Sequence, residues 1–262
     1  MTPGDPDPWS ILKNFTAARV AQGRTGTTLP TRELLEFTQA HAAARDAVHD
    51  AADFTGLRAT LETIGETVLD VRSCATDRAT YLRRPDFGRT LHLESVALLD
   101  GWHAAHPEPL DIAVVVADGL SAGALAQVPG VLGALLPELR REGFRLAPVT
   151  LASQARVALG DGVALAVGAR LVLVLIGERP GLSSPDSLGA YLTFGPQPLT
   201  PDSARNCVSN IRPAGLDART AAWRLHQLIL NALRRGLSGV ALKDESGEVP
   251  RHFAPHALPS MD

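Results

Sequence analysis

One short turn contains residue types that could hold a polar ligand. It runs from Gly177 to Ser184 and includes Glu178, Arg179 and two serines. A carboxylate accepts hydrogen bonds from amides, a guanidinium donates them to anions, and glycine allows a ligand to approach the backbone closely. Because the turn directly follows a predicted buried strand, we favour a ligand-binding role over a surface Glu178–Arg179 ion pair, which would add little stability.

A second polar stretch surrounds Cys207. It extends from Arg205 to Pro213 and contains Asn206, Ser209 and Asn210. A cysteine without a histidine partner usually packs as a small hydrophobic residue, and nucleophilic use of its thiol requires a lowered pKa and an oriented base. We therefore expect this stretch to contact a bound ligand through its amide and hydroxyl side chains rather than to supply a nucleophile.

A third stretch, Asp118 to Ala122, follows an apolar run and precedes residues with helical spacing. Backbone amides at a helix N-terminus can bind an anion or an amide oxygen. Capping of the helix by Asp118 or Ser121 is the favoured interpretation of this stretch taken alone. The stretch does not match G-x-G-x-x-G, and the chain has no G-x-x-x-x-G-K-[ST], so neither nucleotide-binding fingerprint is present.

The remaining titratable residues show no catalytic or metal-binding pattern. His103 and His106 share one predicted helical face, but no third ligand follows at a spacing typical of metal sites. The two cysteines, Cys74 and Cys207, are too few for a disulfide framework or a four-thiolate zinc site. No Ser-His-Asp arrangement can be assigned. The sequence thus predicts a ligand-binding α/β domain without catalytic residues and without a metal site of its own.

The elements that precede residue 90 are predicted to be helical. Apolar residues recur at helical spacing after Pro8, from Thr31 toward Val48, and from Leu57 to Ile64. Thr31 is expected to cap the second of these helices. The helices are rich in alanine and contain few large apolar side chains, which is a poor basis for an independent core. We expect them to pack either on the rest of the chain or on another subunit.

Buried strands and helices alternate from about Leu110 onward. Strands are predicted at 111–117, 144–151, 170–176 and 187–194, and helices at 132–139, 156–169 and 218–235. Alternation of this kind predicts an α/β fold with a mostly parallel sheet and helices on both faces. Ligands bind such sheets beside the carboxyl ends of the strands. The three polar stretches described above are therefore the expected binding loops.

The composition excludes several classes of protein. The 262 residues include 25 basic and 28 acidic side chains, for a net charge of −3, and 45% are hydrophobic. Such a chain is unlike disordered segments, and it lacks the surplus of cations that nucleic-acid binding requires. No apolar run approaches the roughly 20 residues that span a bilayer, and the N-terminus lacks the basic and apolar regions of a secretory signal. We expect a cytoplasmic protein that binds neither nucleic acid nor membrane.

Several segments, in the same order along nearly the whole chain, resemble one known family. They are TAARVAQGR (16–24), LPT (29–31), HAAARDAV (41–48), YLRRPDFGR (81–89), DGLSA (118–122), RVALGD (156–161), GERPGLSSPDSL (177–188) and RNCVSNIRP (205–213). On these segments the chain resembles the small, or light, subunit family of ethanolamine ammonia-lyase. Their collinear order is more specific than any single motif.

The resemblance implies a division of labour between two subunits. The large subunit of the family is a TIM barrel that holds ethanolamine, and adenosylcobalamin lies between it and the small subunit. Homolysis of the cobalt–carbon bond gives an adenosyl radical, hydrogen is abstracted from the substrate, and acetaldehyde and ammonia are released. For this chain the resemblance implies an N-terminal helical region, residues 1–90, that packs on the large subunit, and a Rossmann-like cobalamin-binding domain, residues 91–262.

The same resemblance implies three residues that contact the cofactor. They are Val157 in the RVALGD segment, Glu178 in the turn after the strand, and Cys207 in the RNC segment. A corrin is a broad apolar disc rimmed by amides, so an apolar side chain and a carboxylate acceptor fit it, and a thiol can pack at its rim. Enteric members have a longer N-terminal extension associated with a bacterial microcompartment. This chain begins almost directly at the first shared helix, which favours the cytoplasm.

Two other functions are compatible with parts of the sequence. A stand-alone Rossmann-type enzyme would bind a nucleotide, although the glycine fingerprints of such sites are absent. A scaffold or assembly protein would bind no ligand, and replacing Glu178 would then leave the cofactor affinity of the complex unchanged.

Overall fold

A computed structural model describes residues 7–16, 18–251 and 253 of the chain. Ala17, in the first matching segment, and the end of the predicted second domain beyond residue 253 lie outside the described residues. The described chain forms an α/β fold around one six-stranded sheet.

The described chain contains seven α-helices and six strands. The helices are α1 (Thr31–His49), α2 (Thr55–Thr63), α3 (Arg78–Arg83), α4 (Leu93–Ala105), α5 (Val128–Arg141), α6 (Leu159–Val167) and α7 (Ala218–Arg235). The strands are β1 (Val68–Arg72), β2 (Leu110–Ala117), β3 (Val149–Ser153), β4 (Ala169–Gly177), β5 (Leu188–Phe194) and β6 (Arg205–Ile211). Short 3-10 helices occur at Pro8–Asn14, Phe87–Arg89, Ala122–Gln127, Asp202–Ala204 and Gly239–Ala241.

The sheet is mixed rather than mostly parallel. Its strand order is β1-β3-β2-β4-β5-β6, and the first four strands pair in parallel. Strand β5 pairs antiparallel with β4 and with β6, so the predicted mostly parallel sheet is wrong for this part of the fold. The cause is the connection from β4 to β5, which has only the ten residues 178–187. A parallel connection requires a crossover of about a dozen residues or more, whereas a shorter one reverses the chain.

Helices cover both faces of the sheet. In β2, the side chains of Ile112, Val114 and Val116 pack with α2, α5 and α7. The intervening residues of the same strand pack with α4 and α6 on the opposite face. Strand β2 is therefore buried on both sides, which explains its continuous apolar sequence.

Two edge strands were not predicted. Val68–Arg72 forms β1 and pairs with β3, so the chain before residue 90 is not exclusively helical. The stretch around Cys207 is not a post-strand loop but belongs to β6, in which Val208 and Ile211 are buried and Ser209 and Asn210 are exposed. An edge strand pairs on one side and is partly solvated, so it lacks the apolar pattern of a central strand. The division of the chain at residue 90 remains a prediction.

The N-terminal region contributes little to the core. The predicted first helix is a short 3-10 helix, Pro8–Asn14. Helix α1 has 19 residues, yet Glu33 is its single buried residue, and Pro30, not Thr31, is the N-cap residue. Large apolar side chains of this region are exposed, among them Trp9, Ile11, Phe15, Leu34, Leu35 and Phe37. The region therefore presents an apolar surface that the rest of the described chain does not cover.

One helical stretch is long and apolar enough to cross a membrane by length and composition alone. It is Ala122–Arg141, and 61% of its most apolar window is buried inside the described fold. Leu132, Leu135 and Leu139 of this stretch belong to the core on the side of α7. Burial in the core accounts for its apolar sequence.

The carboxyl ends of β2 and β4 approach each other through two glycines. Gly119 has a φ of +57°, and a Cβ atom there would lie 2.2 Å from the carbonyl oxygen of Gly177. A Cβ atom at Gly177 would lie 2.1 Å from the carbonyl oxygen of Ser121. The amide of Leu120 donates to the Gly177 oxygen at 2.9 Å. This close contact sets the positions of the turns that follow both strands, because no larger residue fits.

Replacing Gly119 by alanine is expected to lower the free energy of unfolding by about 3 kcal/mol or more, because a steric clash is added to the strain of a positive φ. Gly143→Ala is the matched control, since Gly143 has a φ of +83° but a Cβ atom there would meet nothing within 4 Å. The free energy of unfolding of this control should fall by only about 1–2 kcal/mol. Urea unfolding of the full chain measures both losses, and equal losses would contradict the steric argument.

Candidate functional site

A cavity of about 480 Å³ lies at the edge of the sheet where β2, β3 and β4 end. Its apolar wall consists of Leu120, Val157, Ala158 and Ile176. Two of the predicted binding loops meet here, the turn that begins at Gly177 and the turn after β2. This is the edge at which ligands bind in open α/β sheets.

Glu178 lines the cavity. One of its carboxylate oxygens is hydrogen-bonded, and the other accepts no hydrogen bond from the described residues. Its Oε2 accepts hydrogen bonds from the Ser187 hydroxyl at 2.5 Å and from the Asn210 amide at 3.2 Å. A Cβ atom on Gly189 would lie 2.9 Å from Oε1, so the missing side chain there leaves room for the carboxylate. Among the described residues, Oε1 accepts no hydrogen bond and no arginine pairs with this carboxylate. Oε1 can therefore accept a hydrogen bond from a ligand amide.

The structure brings Val157 and Glu178 to one cavity and places Cys207 just outside its lining. Val157 lies in the turn between β3 and α6 and packs partly against the core. Cys207 lies opposite Tyr191 in the register of β5 and β6, and Tyr191 lines the cavity. Cys207 is an exposed, free cysteine. A ligand that extends beyond the cavity would contact Tyr191 before it contacted Cys207.

Tyr191, Cys207 and Glu178 influence one another's ionisation. Burial, and next the nearby Cys207, raise the pKa of Tyr191. Partial withdrawal of the Cys207 thiol from water raises its pKa, the Glu178 charge adds to this effect, and the Tyr191 hydroxyl opposes it. A thiol with a raised pKa stays protonated at neutral pH. Cys207 is therefore suited to packing or weak hydrogen bonding rather than to nucleophilic attack.

The Asp118 carboxylate joins the turns after β2 and β3. It accepts hydrogen bonds from the amides of Gly119, Gln154 and Ala155 at 2.9–3.0 Å. The Arg78 guanidinium lies 3.6 Å from the same carboxylate. Burial raises the pKa of Asp118, and these donors oppose the shift. The predicted helix cap is therefore wrong, because Asp118 bonds to the neighbouring turn and the side chain of Ser121 makes no capping bond.

Tyr81 lies between two arginines beside the cavity. Its side chain is 1% exposed, and its hydroxyl donates to the carbonyl oxygen of Ala155 at 3.1 Å. The guanidinium groups of Arg78 and Arg156 lie 4.9 and 4.7 Å from the centre of its ring. Burial, followed by the charge of Asp118, raises the pKa of Tyr81 to about 12. This stacking holds Arg156 at the wall of the cavity.

A buried ion pair connects α6 with β6. Arg205 donates to both carboxylate oxygens of Asp161 at 2.7 Å. The two side chains are 2% and 7% exposed. The pair holds α6, which follows Val157, against the strand that contains Cys207. It therefore links the two sides of the candidate site.

Sequence reasoning missed several residues of this site. Tyr81 and Tyr191 are the two tyrosines of the chain, and both line the cavity. The scarcity of tyrosine was a signal that could have drawn attention to them. No local signal predicts the pairing of Arg205 with Asp161, since these residues lie 44 positions apart.

The described residues offer binding groups rather than a metal centre. Within the described ranges, no three His, Cys, Asp or Glu side chains lie close enough to hold a metal ion. The cavity instead presents an apolar wall, a carboxylate, guanidinium groups and phenols. This arrangement can bind a ligand, or part of one, that has amide or anionic groups.

The fold and the cavity define an α/β protein with a ligand-sized cavity at the carboxyl edge of its sheet. Comparison with known proteins agrees with this class, since the family described as ethanolamine ammonia-lyase light chain matches residues 6–243. The chain belongs to that family, which confirms the resemblance found in its sequence.

Individual relatives are similar over almost the whole chain. The ethanolamine ammonia-lyase small subunit of Azotobacter vinelandii is 50% identical over 252 residues, which cover 95% of this chain and 93% of that protein. The small subunit of Ralstonia nicotianae is 51% identical over 93% of this chain and 90% of its own length. The small subunit of Xanthomonas campestris is 52% identical over 94% of this chain and 91% of its own length.

Removal of one partner of the buried ion pair is expected to destabilise the chain strongly. Arg205→Met should lower the free energy of unfolding by about 3–5 kcal/mol, because Asp161 would remain buried without a counter-charge. Arg72→Met is the matched control, since the Arg72–Glu94 pair has the same 2.7 Å separation but side chains that are 45% and 77% exposed. The free energy of unfolding of this control should fall by less than about 1 kcal/mol. Denaturant unfolding distinguishes the two, and similar losses would contradict the role of burial.

The ionisation of Cys207 is expected to report on its neighbours. In a Cys74→Ser background, the rate of alkylation by iodoacetamide should rise with pH, with a midpoint above that of an ordinary thiol, because the thiolate is the reactive form. Glu178→Gln should lower this midpoint by removing a negative charge, and Tyr191→Phe should raise it by removing a group that lowers the pKa. Glu108→Gln, at the opposite edge of the sheet, is the control. A midpoint unaffected by Glu178→Gln would show that the two groups do not interact.

Proposed function

We propose that this chain is the cofactor-binding small subunit of ethanolamine ammonia-lyase and acts in complex with the large subunit. The cavity at the carboxyl edge of the sheet forms one side of an adenosylcobalamin site. The large subunit, a TIM barrel that holds ethanolamine, forms the other side. Family membership supports the reaction class, and the free Oε1 of Glu178 beside an apolar wall supports the binding role most directly. No catalytic residue is assigned to this chain.

The residues of the cavity fit one side of a corrin. A corrin presents a flat apolar surface and a rim of amide groups, which need an apolar wall and a few polar partners. The cavity supplies both, and its volume of about 480 Å³ lies within the range of drug-sized pockets, roughly 300–1,000 Å³. A corrin with its nucleotide is larger than such ligands. The cavity therefore suits part of the cofactor and leaves the remainder for a partner.

Each of the three residues implied by the family has a distinct contact in this proposal. Val157 packs against the apolar surface of the corrin. Glu178 accepts a hydrogen bond from a corrin amide through Oε1, while Oε2 remains bonded to Ser187. Cys207 meets the rim of the cofactor next to Tyr191, with its thiol protonated.

When bound, adenosylcobalamin supplies the radical chemistry that converts ethanolamine to acetaldehyde and ammonia. The residues of this chain bind and orient the cofactor. Asp118 and Tyr81 fix the turns that form the wall, and the apolar residues of the wall exclude water. Because Tyr191 and Cys207 stay protonated at neutral pH, they add no negative charge next to Glu178.

The exposed N-terminal surface supports docking on the large subunit. Helix α1 and the preceding 3-10 helix expose several large apolar side chains, as described above. Burial of apolar surface is the main favourable contribution to most protein–protein association. We place the docking function in residues 1–90 and a Rossmann-like cobalamin-binding domain in residues 91–262, to which β1 adds one edge strand.

The free cysteines Cys74 and Cys207 support a reducing, cytoplasmic location.

Reconstitution tests the proposed function. Mixing this chain with the large subunit is expected to restore acetaldehyde release that depends on adenosylcobalamin, because each subunit supplies one side of the site. The released acetaldehyde is measured by coupling it to an enzymatic reduction. Full activity of the large subunit alone would contradict the proposal. Saturable nucleotide binding by the isolated chain would favour a stand-alone enzyme instead.

Replacing Glu178 by alanine is expected to weaken the binding of adenosylcobalamin to the reconstituted complex by about 1–3 kcal/mol, because a buried amide would lose its acceptor. Titration of the complex with the cofactor, followed by visible absorption, gives the dissociation constant. Glu108→Ala is the control, since Glu108 is exposed and precedes β2 at the opposite edge of the sheet. An unchanged dissociation constant for Glu178→Ala would favour a scaffold without a ligand.

A further inference from the structure

The cavity is lined by guanidinium groups that have no carboxylate partner. Arg89, Arg156 and Arg179 line it, and among the described residues none of them lies within 4.0 Å of a carboxylate oxygen. The lining also contains two acidic residues: Asp202 lies 3.5 Å from Arg205, and Glu178 is hydrogen-bonded to Ser187 and Asn210 rather than to an arginine. Three guanidinium groups therefore face two carboxylates, and the lining has an excess of positive charge.

Arg156 is held in place before any ligand binds. Its backbone amide donates to the carbonyl oxygen of Gly88 at 2.8 Å, and its guanidinium lies 4.7 Å from the centre of the Tyr81 ring. Its Nε is buried without a hydrogen-bond partner among the described residues, and one terminal nitrogen, Nη2, donates to the carbonyl oxygen of Tyr81 at 3.4 Å. The other terminal nitrogen, Nη1, makes no hydrogen bond to the described residues and is not buried, so it can donate to a ligand. Because the side chain is already ordered, little conformational entropy is lost on binding.

The backbone next to Arg156 has the same preference for an acceptor. Val157 and Ala158 line the cavity and immediately precede α6, and in the described structure their amides donate no hydrogen bond to the backbone. The positive end of a helix dipole favours a negative group at this position. The amides and the guanidinium of Arg156 thus belong to one wall of the cavity.

We propose that Arg156, assisted by Arg89 and Arg179, binds the phosphodiester of the cofactor's nucleotide loop. The inference rests on the proposed function, since it names the part of adenosylcobalamin that this wall recognises. The other peripheral groups of a cobalamin are neutral amides, so the phosphodiester is the anion that would match three guanidinium groups without a carboxylate partner. A planar guanidinium donates two parallel hydrogen bonds to phosphate oxygens, which a lysine ammonium cannot do.

The experiment compares two corrinoids on the reconstituted two-subunit complex. Adenosylcobalamin contains the phosphodiester, whereas adenosylcobinamide lacks the phosphodiester and the nucleotide base. Both are titrated by visible absorption into the wild-type complex and into complexes with Arg156→Gln, Arg179→Gln or Arg170→Gln. Arg170 is the matched control, since it is the second residue of β4 and lies at the end of the strand opposite to the cavity. A further titration with inorganic phosphate as competitor tests whether the site binds any phosphate.

Arg156→Gln is expected to weaken adenosylcobalamin binding roughly tenfold or more and to leave adenosylcobinamide binding unchanged, because a charge-assisted hydrogen bond would be lost only with the first ligand. Arg179→Gln, an exposed position where the fold is not at risk, should show the same selectivity with a smaller loss. Arg170→Gln should change neither affinity. Inorganic phosphate should compete with adenosylcobalamin only weakly and not at all with adenosylcobinamide.

The inference would be overturned if Arg156→Gln and Arg179→Gln weakened the binding of both corrinoids equally. It would also be overturned if neither variant weakened the binding of either corrinoid. Strong competition by inorganic phosphate against both corrinoids would overturn it as well, since the site would then bind free phosphate. Failure of the proposed function has a different signature. In that case the wild-type complex would bind neither corrinoid, or Glu178→Ala would leave the affinity for both unchanged.

Discussion

The shape of the cavity depends on the buried carboxylate of Asp118. This group accepts hydrogen bonds from Gln154 and Ala155, and it thereby holds the turn after β3 beside the turn after β2. The carbonyl of Ala155 in turn accepts the Tyr81 hydroxyl, and Arg156 stacks on the Tyr81 ring. Buried amides need acceptors, because an unpaired one costs about 1–3 kcal/mol. One side chain therefore determines where a whole wall of the cavity lies, although it does not line the cavity itself.

Two further constraints place the opposite wall. The contact between Gly119 and the carbonyl of Gly177 brings the ends of β2 and β4 together, so the turn with Glu178 begins at a defined point. The Arg205–Asp161 pair then holds the antiparallel part of the sheet against α6. Buried ion pairs add little net stability compared with apolar residues, but they are geometrically demanding. The site is thus positioned by polar groups behind it, while the groups that face the cavity keep free acceptors and donors.

Two features of the described surface support the proposed two-subunit complex. Its cavity is too small for a corrin with its nucleotide, and its N-terminal helix exposes apolar side chains that nothing in the described chain covers. In the proposed division of labour, this chain binds and orients the cofactor through the lining of its cavity. In such a division, the difficult chemistry belongs to the cofactor, and the protein supplies position and electrostatics. The proposed binding surface, shared with a large subunit, would account for both the open cavity and the uncovered helix.

Local patterns were enough to predict β2, β4, β5, α5 and α7. The collinear family segments indicated Val157 and Glu178, which both line the cavity and whose role in binding the cofactor stays a prediction. Those features depend on hydrophobic periodicity or short motifs, which neighbouring residues define by themselves. The antiparallel direction of β5, the edge strands β1 and β6, and the position of Cys207 behind Tyr191 were not predictable in this way. Nor was the pairing of residues 44 positions apart in the ion pair of Arg205. Such features arise when distant segments pack together. The partner of a strand and the counter-charge of a buried ion depend on how the whole core is buried, and the neighbouring residues in the sequence do not determine them.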